Sequence, residues 1–209
     1  VVADLQAAGH AVVRVAGTNR FETAVEIARR TDALLELLNG IPSGSAPTFL
    51  ADGRSFQDAL IAGAAAARTG GVLVLTEGSA MPAATASYLD GRSADELAIG
   101  SPATTARPSA GEKITGASPA QLSRRVLEQL GLAAGTVAVA SEDVFADALA
   151  GGAHVGGLGP LLLTDGHTAS DDLRAALEGQ DGLRDVVLYG GTAAISSGVE
   201  QAIRTAVGA

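Results

Sequence analysis

The sequence predicts an α/β protein of two similar units, each a parallel sheet flanked by helices, related to one another by pseudo-symmetry. Three observations predict it. Short Val/Leu-rich runs alternate with helix-length segments, the pattern of strands covered on both faces. Blocks of sequence then recur in the same order. "SFQDALIAGAAAA" at 55–67 resembles "VFADALAGGAHVG" at 144–156, "GVLVLTEG" at 71–78 resembles "GPLLLTDG" at 159–166, and "DELAIGS" at 95–101 resembles "DVVLYGG" at 185–191. Phe56 to Phe145 is 89 residues, Thr76 to Thr164 is 88 and Gly100 to Gly190 is 90. Third, 47% of the 209 residues are hydrophobic but only 3% aromatic, so a sizeable core must be built from Ala, Val, Leu and Ile.

Unit one reads as a strand near 12–15, a helix near 20–38 and a strand near 48–51. A helix near 56–69, a strand near 72–76, a helix near 82–91 and a strand near 96–99 follow. Asn19 and Glu22 make an N-x-x-E cap for the first of these helices. Ser55 and Asp58 fit the capping box of the second. The Gly/Ala-rich run that begins there is too weak a helix former to stand alone and calls for close packing, on its sheet or on another unit's backbone. Unit two gives strands near 136–140, 160–164 and 185–189, helices between them and a last helix near 193–207. "NGIPSGSAP" at 39–47 is an extra loop of unit one, so the Gly17–Gly116 offset is 99. The domain reading is therefore a first repeat at 1–100, a linker at 101–112 and a second repeat at 113–209. "SPATTARPSAGE", with two prolines and no apolar periodicity, is the linker and replaces the closing helix. Residues 1–9 read as the closing helix of an upstream repeat.

Composition excludes several functions. The net charge of −9 argues against nucleic acid, whose counterion release needs clustered Lys and Arg. Absence of cysteine removes disulfides, thiolate metal sites and Cys nucleophiles. No apolar run reaches the roughly 18 residues of a membrane span. No nucleophile elbow, P-loop, HExxH or EF-hand loop is present, and His10, His154 and His167 are scattered. No cofactor or metal is expected.

Two sets of polar residues stand out. Asp58 and Asp147 occupy the first turn of equivalent helices. Asp147 keeps its place although Val144 has replaced the capping serine, so it serves a site, an interface or the helix dipole. In "VVRVAGTNRFETAVEIA" at 12–28, Arg20 opposes the helix dipole and is expected to face a carboxylate, Asp58 by its position beyond a strand end, or an anionic ligand. Unit two has Pro119, Gln121 and Leu122 where unit one has Arg20, Glu22 and Thr23.

These residues carry a family resemblance. "RVAGTNRFETAVEIA", "ADGRSFQDALIAGAAAARTGGVLVLT" and "VVLYGGTAAISSGVEQAI" resemble the cell wall-binding repeat 2 family over nearly the whole chain. The resemblance implies Rossmann-like or Toprim-like units, usually in threes around a pseudo-threefold axis, with ligand grooves between repeats. It implies a non-catalytic module that anchors a surface protein to anionic polymers of a Gram-positive wall, teichoic-acid-like or a secondary wall polysaccharide, and so an extracellular, wall-bound location. A further repeat or a homo-oligomer would be its protein partner. Carried over, the site residues are Arg14, Asn19, Arg20, Glu22, Thr23, Asp58, Thr76, Asp147, Thr164, Gly190 and Gly191. An acidic module binding an anionic polymer needs local Arg clusters or bridging cations. Two other readings compete: a degenerate repeat scaffold for protein–protein interaction, and a wall-associated hydrolase using Asp58 and Asp147.

Overall fold

The computed structural model describes residues 1–132 and 135–208, so residues 133, 134 and 209 of the expected second repeat fall outside it. Two parallel sheets are flanked by helices in the same order, a pseudo-symmetric Rossmann-like architecture. After α1 (Val2–Ala7) and α2 (Arg20–Asn39) come β1 (Thr48–Asp52), α3 (Phe56–Thr69), β2 (Val72–Thr76), α4 (Ala83–Leu89), β3 (Glu96–Ile99) and α5 (Ser101–Ala106). Then follow β4 (Glu112–Ile114), α6 (Pro119–Gln129), β5 (Thr136–Ser141), α7 (Phe145–Val155), β6 (Leu161–Thr164), α8 (Asp171–Glu178), β7 (Asp185–Tyr189) and α9 (Ser197–Ala206). The first sheet has the order β2-β1-β3-β4 and the second β6-β5-β7.

The two sheets differ by one strand. β4 opens the second sequence repeat, yet it pairs with β3 of the first, Leu97 opposite Glu112 and Ile99 opposite Ile114. The second repeat's opening strand thus belongs to the sheet of the first. This corrects the expected strand at 12–15: the segment is in no strand, because no sheet edge pairs with it among the described residues. α1 buries no residue for the same reason. The segment 101–112, read as an irregular linker in place of a closing helix, instead contains α5. Pro102 sits in its first turn, where a missing N–H costs nothing, and Ala103 is fully buried.

The small side chains of α3 are explained by its position. It packs on β1 and β2 of its own sheet and on α6, α7 and β6 of the other unit. Ile61, Ala62, Ala64, Ala65 and Ala66 join one core with Val126, Leu161 and Leu163 from the second unit. An Ala-rich helix lets two sheets approach it together, so close packing and contact with another unit's backbone are one feature. Unit one also holds a buried ion pair, Arg92 Nη1 to Asp32 Oδ2 at 2.6 Å, with the Tyr88 hydroxyl donating to the same oxygen. Arg92 further donates to the Ala46 carbonyl and Thr48 Oγ1, pinning the end of the 39–47 loop to the sheet.

Candidate ligand groove between the units

Within each sheet the strands are parallel, so their C-terminal ends, on or just beyond which Asp58, Thr76, Asp147, Thr164, Gly190 and Gly191 lie, share one edge with the helix starts. At the first of these ends, Asp52 Oδ1 accepts from the amides of Arg54 and Gly78 and tethers two βα turns. Asp58 follows in the first turn of α3, and its carboxylate lies against the backbone of Gly100 at the end of β3. Gly100 has φ +86, and a Cβ there would overlap the Asp58 carboxylate. Unit two repeats this: Gly190 has φ +126, and a Cβ would stand 2.8 Å from Asp147 Oδ2. Aspartate and glycine therefore form a matched pair in each unit, which gives the repetition of Asp147 a reason that capping did not. Among the described residues neither aspartate has a hydrogen-bond partner. Burial, and secondarily the nearby Asp52 charge, push the Asp58 carboxyl up to about 6.

Opposite Asp58 stands the turn that begins α6. Gly116, Ala117, Ser118 and Pro119 face Ser55, Gln57 and Gly100–Pro102 across an open groove of about 280 Å³. One wall comes from each unit. Gln57 Nε2 crosses to the Glu142 carbonyl at 3.1 Å, and Phe56 meets Phe145 edge to face at 6.1 Å between ring centres, so the walls are held at a fixed separation.

The residues of the opening stretch lie elsewhere. Asn19 Oδ1 accepts from the amides of Phe21 and Glu22, the expected cap. Glu22 accepts from the Thr18 hydroxyl and amide, which hold its carboxyl below the usual range. Thr23 Oγ1 accepts from Gly17 N and donates to the Asn19 carbonyl. Arg20 does not meet Asp58: its Nη1 donates to the Gly53 carbonyl at 2.8 Å, and no carboxylate within 4 Å engages it among the described residues. The turn after β1 bends back over the start of α2 and places a free carbonyl nearer than Asp58. Arg14 is exposed on the unpaired segment. Thr76 and Thr164 are fully buried, their hydroxyls donating to the Ala51 and Thr168 carbonyls. Gly191 follows Gly190 in the turn after β7, and its amide carbonyl accepts from Ala194 and Ile195.

Sequence reasoning missed Asp52 and the Asp32–Arg92 pair. Asp52-Gly53 at a strand end is a legible turn signal. The pair spans 60 residues and has no local signature.

A repeat protein whose parallel-sheet units share strands and enclose polar grooves is the class this geometry defines. Residues 14–106 and 113–200 each match the cell wall binding domain 2 family, and the chain belongs to that family. It is accordingly a non-catalytic, cell-wall-binding module of extracellular, wall-associated proteins. Similar solved structures are Cwp8 from Clostridium difficile, with a TM-score of 0.76 and 19% identity over 98% of this chain, and Cwp6 from Clostridium difficile, with 0.73 and 20% over 91%. The chain spans 36% and 31% of their lengths. No curated protein sequence matches it significantly.

Proposed function

We propose that the chain holds its parent protein to an anionic wall polymer, teichoic-acid-like or a secondary wall polysaccharide, through the groove between its units. The observation that carries this reading is the two-walled groove itself, with Ser55, Gln57 and Asp58 facing the start of α6. Hydroxyl and amide groups suit a hydroxyl-rich chain, and the amides at the start of α6 favour negative charge. In this reading Asp58 orients ligand hydroxyls inside the groove, while Asp147 and Arg20 stand outside its lining and meet only a polymer that runs on beyond it. The order with the earliest strand inside each sheet is common to Rossmann-like and Toprim-like units, and in either the grooves of this reading form between repeats.

The charge makes this binding unusual. A chain of −9 meets an anionic polymer with net repulsion beyond the groove. Moderate salt or a divalent cation should therefore strengthen association, the reverse of a basic binder. Co-sedimentation with isolated Gram-positive walls, before and after removal of the anionic polymers, tests the reading. Retention on intact walls and loss on stripped ones is expected; no retention on either, with and without Mg²⁺, rejects it.

A further inference from the structure

In the groove an unpaired carboxylate meets helix starts from both units. Ser55 is the N-cap of α3, yet its hydroxyl donates to Gln57 Oε1 and caps no amide. The first-turn amides of α3 thus lack a side-chain acceptor, and the start of α6 faces them. Such amides favour an anion. The negative group that stands there is the half-buried carboxylate of Asp58, placed by its contact with Gly100 rather than by a hydrogen bond. No basic residue lines the groove among the described residues. Asp52, at the end of β1, is a second carboxylate whose charge opposes ionisation of Asp58. Ser101, Pro102 and the Gly116–Pro119 turn bring no ionisable side chain. The arginines of the surrounding elements are engaged elsewhere: Arg54 on Glu77, Arg107 on Glu96, Arg124 on Glu128 and Asp172, and Arg125 on the Thr115 carbonyl. Across the seam Glu142 gives its carbonyl to Gln57, and burial, Asp143 and Asp165 raise its own carboxyl. Unit two does not repeat the arrangement, since Ser141 stands where unit one has Asp52.

We propose that Asp58 gates the groove by its proton: as the neutral acid it donates its O–H to an anionic oxygen of the polymer, and as the carboxylate it repels that oxygen and accepts only from hydroxyls. This regulation rests on the groove being the polymer's binding site, the reading given above. A groove without an arginine needs another counter-charge for an anion, and a proton on Asp58 supplies it beside the free amides of α3. Burial and the Asp52 charge put that proton within reach of mild acid, with the carboxyl pushed up to about 6. Binding of an anion then takes up one proton. Affinity rises as pH falls through about 6 and levels off below it. By the same linkage a bound anion raises the Asp58 pKa further. A chain of net charge −9 thereby holds an anionic wall most tightly where the wall surface is acidified, and releases it towards neutrality.

Retention on isolated Gram-positive walls at about pH 5 and about pH 7.5, in one salt and without divalent cation, tests the gate. The chain is expected to bind about tenfold more tightly at the lower pH. Asp58→Asn keeps an N–H donor and carries no charge, so it should bind at both pH values as the chain does in acid. Asp52→Asn keeps the oxygen that takes the Arg54 and Gly78 amides, and should move the pH midpoint down because a like charge is gone. Asp147→Asn, outside the groove lining, should leave the step unchanged. On walls stripped of phosphodiester-linked polymer, the step survives if the oxygen is a carboxylate's and vanishes if it is a phosphate's. A step that persists in Asp58→Asn belongs to Glu142 or to the histidines and overturns the proposal. Equal retention of the chain at both pH values overturns it too, and leaves the binding reading standing. No retention at either pH, by the chain and by Asp58→Asn alike, rejects the binding reading itself. Carboxyl-carbon NMR of the free chain reads the proton without any wall: a midpoint near the roughly 3.9 of an ordinary aspartate removes the gate whatever the walls do.

Discussion

At Asp58 a carboxylate is pressed against a glycine backbone with no hydrogen bond to hold its charge. Its folded pKa of about 6 lies above the roughly 3.9 of an unfolded aspartate. The native state therefore binds the proton more readily, and its stability falls as pH rises from about 4 through 6 and stays lower above that. Asp58→Asn should raise the melting temperature by a few degrees at pH 7.5 and lose that advantage near pH 4. An equal difference at both pH values would refute the ionic cost. Gly100→Ala tests the other half of the pair. It strains a φ of +86 and pushes a methyl into the carboxylate, so a loss of about 1–3 kcal/mol is expected in urea unfolding. Adding Asp58→Ala should restore part of that loss, since the clash goes and the backbone strain remains. Both aspartates were legible as repeated first-turn residues. Their glycine partners were legible as motif positions, but their contact was not, because 42 residues and a tertiary fold separate Asp58 from Gly100.

Element positions follow from hydrophobic runs and caps, and β2, β3, β7 and α3 fall where those signals put them. Two elements do not, for tertiary reasons. "VVRV" has all the local marks of a strand, yet a strand exists only with a neighbour, and none pairs with it among the described residues. α5 was hidden by its prolines, although Pro102 occupies a position that starts helices. Arg20 was placed correctly at a helix start but with the wrong partner, since a backbone carbonyl leaves no trace in the sequence. The Asp32–Arg92 pair fastens α2 to the turn after α4, with both side chains about 95% buried. Arg92→Met should cost about 3–5 kcal/mol, because Asp32 is left charged in the core. Asp32→Asn in the same chain should recover much of it. A single substitution that changes the urea midpoint hardly at all would show that the pair contributes no net stability.

Across the whole molecule, the proposed function sits where units meet. α3 is buried between two sheets, β4 crosses from one repeat to the other, and the polar groove has one wall from each unit. A single repeat cut from this chain would lose part of its sheet, part of its core and half of its groove. The central claim is that this groove is where the wall polymer lies. Amide hydrogen exchange of the chain with and without solubilised anionic wall polymer tests it most directly. The account predicts added protection at 55–58, 100–101 and 116–118, strengthened by Mg²⁺, with the outer faces of α4 and α8 unchanged. Protection confined to those outer helices, with the groove segments exchanging as in the free chain, would contradict it.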